Sequence, residues 1–168
     1  MKITFRQLEE KDLDDRVRWF NDKQITQFLG SSVQQGTTMK KQEYWFKNAR
    51  KQGNIKTFVI EADGKAVGNV ALTDISPINE NSGLFIVVGE KEYHQKGIGT
   101  FAIDYITDFA FKELNLHQVW LYVCEENVPA IKLYEKCGFE KEGLLRDMWK
   151  IKGKYYGEIV MVKFNPKN

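Results

Sequence analysis

Cysteine is scarce in this 168-residue chain: Cys124 and Cys137 are the only two, enough for at most one bridge. A disulfide scaffold is therefore excluded. The two thiols are expected to pack as small apolar groups, one in a buried strand and one at a helix end. Histidine is equally rare, with two residues, and no Cys/His pair has zinc-ligand spacing. Long apolar runs are missing too. Leu84-Phe85-Ile86-Val87-Val88 stops after five residues, far short of the ~20 that span a bilayer. The first ten residues, MKITFRQLEE, lack the apolar core of a secretory signal. Finally, no sign of charge dominates: 25 Lys+Arg against 23 Asp+Glu leave +2, which removes the footprint of a dedicated nucleic-acid binder. The expectation is a reduced, cytoplasmic, metal-free protein that engages neither membrane nor nucleic acid.

Hydrophobic residues make up 42% and charged residues 29%, close to globular averages, and one domain covering residues 1–168 is expected. Residues 3–8 alternate as an edge strand. Residues 12–20, 23–29 and 39–52 read as helices, the last with Trp45, Phe46 and Ala49 on one face. Residues 55–61 and 65–72 are strands joined by Asp63-Gly64, a strong hairpin signal. Residues 74–82, which include Pro77, read as a loop. Residues 84–88 read as a central strand buried on both faces. The best helical pattern is 98–111, with Ile98, Phe101, Ala102, Tyr105, Ile106 and Phe109 inward and Asp104, Thr107 and Asp108 outward. A second buried strand covers 119–124, and a helix capped by Asn127 and stopped by Gly138 follows. Residues 139–164 form a long hairpin turning at Lys152-Gly153. Strands paired first by hairpins and then joined through helices describe a mixed α/β sheet.

The entry to the helix at 98 reads His94-Gln95-Lys96-Gly97-Ile98-Gly99-Thr100. Glycines let the backbone close on a ligand without a Cβ in the way. Unpaired N–H groups and the helix dipole suit a phosphate or pyrophosphate, and Lys96 adds a full charge. Gly97-x-Gly99-x-x-Ala102 also satisfies a loose dinucleotide fingerprint, with Glu125 and Glu126 downstream. Against it, residues 90–96 separate the glycines from the strand, and only one parallel βαβ unit fits in the chain. No Gly-Lys-Ser/Thr occurs, so a Walker loop is absent. A glycine-softened turn before a core helix is the structural alternative.

A second stretch, Asn127-x-x-Ala130-x-x-Leu133-Tyr134-x-x-x-Gly138-Phe139, follows the later buried strand. Asn127 and Tyr134 lie two helical turns apart and project to the same side. Together the two stretches resemble the GNAT superfamily of acetyl-coenzyme A-dependent N-acetyltransferases. Its loop pattern Arg/Gln-x-x-Gly-x-Gly/Ala appears as residues 94–99, with His94 where Arg or Gln is usual, and its late-helix pattern appears in full. The resemblance covers nearly the whole chain and points to the branch that acetylates protein N-termini, polyamines or amino sugars. It implies about seven strands, mostly antiparallel around a splayed central parallel pair, with about four helices. It implies acetyl-coenzyme A as cofactor, held by Val87, Val88, His94, Gln95, Lys96, Gly97, Ile98, Gly99, Thr100, Asn127, Ala130 and Tyr134. A backbone N–H near Val87 or Val88 would steady the oxyanion, and Tyr134 would protonate the departing thiolate.

The acceptor implied is a small-molecule or peptide amine. Many relatives carry a glutamate base on the strand before the loop, where this chain has Gly83; Glu80, Asp74, Glu61 and His94 are the alternatives. Trp19, Asn21, Phe28, Trp45, Arg146, Trp149, Tyr155 and Tyr156 fall in the regions that form the acceptor groove. The resemblance would put Lys132 and Lys136 within reach of the cofactor's phosphates, with solvated surface as the alternative. The acidic set Glu9, Glu10, Asp12, Asp14 and Asp15 would attract a polycation. An exposed sheet edge or the late hairpin points to a homodimer. Two other functions stay open: an acyl-coenzyme A-binding module without turnover, suggested by the missing glutamate, and a nucleotide-dependent oxidoreductase.

Overall fold

A computed structural model describes residues 1–167, with residues 31 and 32 described in backbone only. The strands are β1 (Ile3–Gln7), β2 (Lys56–Ala62), β3 (Lys65–Ser76), β4 (Asn81–Val88), β5 (Gln118–Cys124), β6 (Glu140–Ile151) and β7 (Lys154–Phe164). They form one sheet in the order β1-β2-β3-β4-β5-β7-β6. Neighbours are antiparallel except β4 and β5, which run parallel. Both expected tight turns have the left-handed backbone that a two-residue hairpin demands. Asp63 and Gly64 sit at φ 50° and 82°, and Lys152 and Gly153 at 50° and 83°.

The helices are α1 (Leu13–Asn21), α2 (Lys23–Thr26), α3 (Ser31–Gln34), α4 (Met39–Gln52), α5 (Ile98–Asp108) and α6 (Val128–Lys136). The four of nine residues or more, α1, α4, α5 and α6, correspond to the longer helices expected, and the helix expected at 23–29 is the short α2, which ends at Thr26. Local chemistry sets their ends. The Thr38 side chain accepts from the Lys41 N–H to start α4, and Gly53 at φ 72° stops it. The segment 74–82 is shorter as a loop than its composition suggests. A bulge with Asp74 at φ 49° lets the β3–β4 pairing resume at Ser76 and Asn81.

Strand alternation gives the sheet two buried faces. Phe58, Ile60, Val70, Leu72, Val119 and Leu121 join Ile98, Ala102, Ile103, Ile106 and Ile131 in the main core beneath α5 and α6. Each fully buried aliphatic contributes about 1.5–3 kcal/mol. The opposite face carries α1 and α4, with Leu8, Leu13, Phe46 and Val59 in one cluster and Trp19, Phe20 and Val87 in another. The buried stripe of α5 is rotated from the expected one: Ile103 and Thr107 are buried, while Phe101 is exposed. The sheet and α6 together cover α5 from two directions, and Phe101 faces neither. Cys124 and Cys137 are free and buried, as packing groups. Strand β6 leaves Leu144, Leu145 and Met148 exposed at the sheet edge. Among the described residues no helix is long and apolar enough to cross a membrane, and no cluster of His, Cys, Asp and Glu could hold a metal.

One polar bolt ties α1 to the end of β4. Buried Glu90 accepts from Trp19 Nε1 at 2.9 Å and Arg18 Nη2 at 2.5 Å. Gly89, beside it, lies under the Trp19 ring. An added Cβ there would meet Trp19 Cγ at 2.1 Å, and Trp19 has no room to retreat at 1% exposure. Gly89→Ala is therefore expected to lose about 1–3 kcal/mol, read from urea unfolding with an unchanged slope. Burial pushes the Glu90 carboxyl up, but the bonds from Arg18 and Trp19 outweigh it and hold the group below its ordinary value of 4.5. The unfolded chain then binds more protons as the carboxyl titrates, so this stabilisation is complete above the ordinary range and lost as pH falls below it. Urea midpoints are expected to fall below about pH 4.5, and less steeply in Glu90→Gln.

Candidate active site

Parallel pairing of β4 with β5 is brief. It runs through Asn81, Ser82 and Gly83 opposite Gln118, Val119 and Trp120, and then the strands part. On its other edge β4 stays with β3, and the register there decides which amides are free. The Gly89 N–H donates to Val67 O at 2.8 Å, and Val88 stands opposite Gly68. Bonded and non-bonded pairs alternate in an antiparallel ladder, so the Val87 amide is directed to β3. Val88 instead turns its N–H and C=O toward the side that β5 has left. Its carbonyl is answered by His94, whose Nε2–H donates at 2.8 Å; a carbonyl can only accept, which sets the tautomer.

The segment from 89 to 97 then delivers the chain to α5. Gln95 and Gly97 adopt left-handed backbone at φ 60° and 80°, a conformation that glycine takes without penalty. No side chain caps α5, so the N–H groups of Ile98, Gly99 and Thr100 are left without intrahelical partners. Apart from Gly97 and its two chain neighbours, no atom of the described residues lies within 4 Å of where a Cβ on Gly97 would sit, so the mouth of the helix is open. An open, uncapped N-terminus with adjoining glycine fits an anion such as a pyrophosphate. The Ile98 side chain itself is buried in the core. Lys96 is exposed, its ammonium 5.2 Å from the Tyr93 ring centre.

Gly99 serves packing. A Cβ there would meet Leu133 Cδ2 at 2.7 Å, so its absence brings α6 against α5. On α6, Asn127 accepts from the Ala130 N–H as N-cap, and Pro129 presets the first turn. Ala130 and Tyr134 are half-buried, and the Tyr134 ring lies 5.9 Å from Phe139. Burial pushes the Tyr134 phenol up to about 12, so it keeps its proton across the neutral range. Lys132 and Lys136 are exposed.

Across the sheet from α5 lies a groove of about 610 Å³ between α1, α4 and strands β2–β5. Phe20, Trp45, Phe85, Trp120 and Tyr122 form its aromatic walls, and Arg16, Lys41 and Asp74 are the charged residues that line it. Only Trp45 of the expected acceptor residues takes part. Trp19 is core, bonded to Glu90. Asn21 instead braces the chain before α4, bonding Thr37 O and accepting from Thr37 N–H. Phe28, Arg146, Trp149, Tyr155 and Tyr156 do not line the groove; Trp149 bonds Glu158 across the late hairpin. Of the base candidates, Asp74 alone borders it. Glu61 is paired with Arg6 at 2.7 Å, Glu80 is exposed in the β3–β4 turn, and the Nε2 of His94 is engaged by Val88. The position of Gly83 is closed off. A Cβ there would meet Thr73 Oγ1 at 2.6 Å and Trp120 Cη2 at 2.9 Å.

Two signals in the sequence pointed to the residues missed. Trp120 and Tyr122 alternate with Val119, Leu121 and Val123, which marks them as the opposite face of one strand. Arg16 interrupts the helical stripe of Leu13 and Phe20 at a core position.

Comparison with known proteins agrees with this architecture. A family model described as an acetyltransferase (GNAT) domain matches residues 2–140. Spermidine N(1)-acetyltransferase of Escherichia coli K12 is 37% identical over 109 residues, covering 65% of this chain and 58% of that protein; the match thus spans a little over half the relative's length. The spermidine N(1)-acetyltransferase of Vibrio cholerae is 29% identical over 154 residues, 92% of this chain and 88% of that one. Its crystal structure in complex with CoA and spermine superposes with a TM-score of 0.91, over 98% of this chain and 96% of that one at 29% identity. With parted parallel strands, a glycine-opened helix and a family match over most of its length, the chain belongs to the GNAT acetyltransferase domain family.

Proposed function

We propose that the protein transfers an acetyl group from acetyl-coenzyme A to a primary amine by direct attack in a ternary complex. The single observation that carries this is the Val88 N–H, turned out of the β3 ladder beside the uncapped start of α5. Acetyl-coenzyme A supplies an activated thioester. The N–H groups of Ile98, Gly99 and Thr100, in the turn made by Gly97, hold the pyrophosphate, with Gln95 and Lys96 at the rim. The gap between β4 and β5 takes the pantetheine arm, with Asn127 and Ala130 along it. Val88 N–H donates to the acyl oxygen as negative charge develops there, a contribution of about 2.7–4 kcal/mol in comparable sites.

The acceptor arrives from the groove on the other face. An alkylammonium is no nucleophile, so its proton must leave first; Asp74, at the groove's border, takes it through water. As the C–N bond forms and the C–S bond breaks, Tyr134 protonates the departing sulfur. With the phenol near 12 and a free thiol near 8.5, the transfer is uphill and depends on close approach. The binding-module reading keeps one supporting feature, the Thr73 and Trp120 side chains that fill the space over Gly83. Release of free thiol from acetyl-coenzyme A with a panel of amines separates the two. Cofactor binding with no amine-dependent release favours the module.

Tyr134→Phe is expected to lower kcat about 10²-fold with little change in coenzyme A affinity, as for loss of a general acid. An unchanged rate would move proton donation to water. Gly97→Val forces a β-branched residue to φ 80°, and calorimetry is expected to register at least a tenfold loss of coenzyme A affinity.

A further inference from the structure

Arg16 is the one buried cation that borders the groove, 5% exposed. Its Nε donates to Gln42 Oε1 at 2.9 Å and its Nη1 to Asn69 Oδ1 at 2.8 Å, both neutral acceptors. Its guanidinium stacks 4.0 Å from the Trp45 ring centre and 4.7 Å from that of Phe20. Among the described residues it forms no ion pair. Of the acids near it in sequence, Asp12 is committed to Arg6 and Asp15 to Arg18, and Asp14 is exposed on the outer side of the helix. Gln42 is held in place by its own bond to Thr37 Oγ1 at 3.0 Å, so the neutral partners are braced. A buried charge is costly unless it is paired. Burial accordingly depresses the Arg16 guanidinium to about 9.

We infer that the groove takes a primary amine that also carries an anionic group, a carboxylate or a phosphate ester, and that Arg16 selects it. The missing counter-charge of Arg16 is then the ligand's. The second cation on the wall, Lys41, is exposed and lines the same space, and among the described residues Asp74 is the single acid there. A polycation such as the spermine of the solved relative would meet two cations and one anion. The acidic set of residues 9–15 does not compensate, because none of it lines the groove. Aromatic walls on both sides suit a ligand whose amine and anion are joined by a flat or apolar body. The inference rests on the acetyltransferase reading and narrows its acceptor.

The test is thiol release from acetyl-coenzyme A with three sets of amines at equal concentration. The sets are spermidine and spermine, phenethylamine and glucosamine, and the anion-bearing amines: amino acids for carboxylate, glucosamine 6-phosphate for phosphate. The best anion-bearing amine is expected to exceed the best polyamine at least tenfold in kcat/KM, and the leading arm identifies the anion. Arg16→Met should raise that acceptor's KM at least tenfold, with coenzyme A affinity by calorimetry within twofold. If Arg16→Met fails to fold by circular dichroism, Lys41→Ala serves in its place, with a KM increase of about threefold expected. A polyamine ranking first, or a rank order unmoved by these substitutions, overturns the inference. So does coenzyme A binding with turnover of no amine in the panel. Failure to bind coenzyme A overturns the acetyltransferase reading itself.

Discussion

Strand β5 is registered with β7 along its full length, seven residue pairs, and with β4 along three. The longer ladder wins, and β5 follows β7 away from β4. Every buried backbone donor and acceptor needs a partner, so this divergence leaves the end of β4 with a debt on one edge. His94 settles part of it by donating to the Val88 carbonyl. The N–H is left, and a few residues later the unmatched amides of α5 begin. Two sets of unanswered donors thus converge because a strand and the following helix are joined by one short segment, residues 89–97. Most of what the site can do follows from that geometry.

Electrostatics on the opposite face set a paired buried charge beside one that has only neutral partners. Glu90 is a buried anion answered by a guanidinium and an indole N–H, and it fixes where the segment after β4 starts. Arg16 is a buried cation answered by amide oxygens and ring faces alone. Neutral acceptors and π-faces offset part of the cost of desolvating a guanidinium; a carboxylate or phosphate would offset more. The two residues come from the same α1–β4 region of the molecule, yet one is satisfied within the chain and the other is not.

Legibility in the sequence tracked the range of the forces involved. The Asp63-Gly64 and Lys152-Gly153 turns and the Asn127 cap were readable because each depends on a few adjacent residues. The rotated stripe of α5 was not, since Phe101 and Ile103 are both apolar and only the positions of the sheet and α6 decide which is covered. Trp19, Trp149 and Tyr155 carried the composition expected of a ligand groove but serve the core, a cross-strand bond and the surface. Which aromatic lines a cavity depends on partners far away in the chain.

From the residues alone came the mixed sheet, the glycine-rich start of α5 and the Asn127–Tyr134 helix, all set by spacing and backbone preference over short distances. Tertiary structure decided three further matters: that Val88 and not Val87 presents its amide to the gap, that Trp120 and Thr73 close the space over Gly83, and that Arg16 borders the groove unpaired. Each of these is a relation between strands or helices remote in sequence. Hydrogen-bond register and burial are properties of the assembled sheet, and no local pattern encodes them.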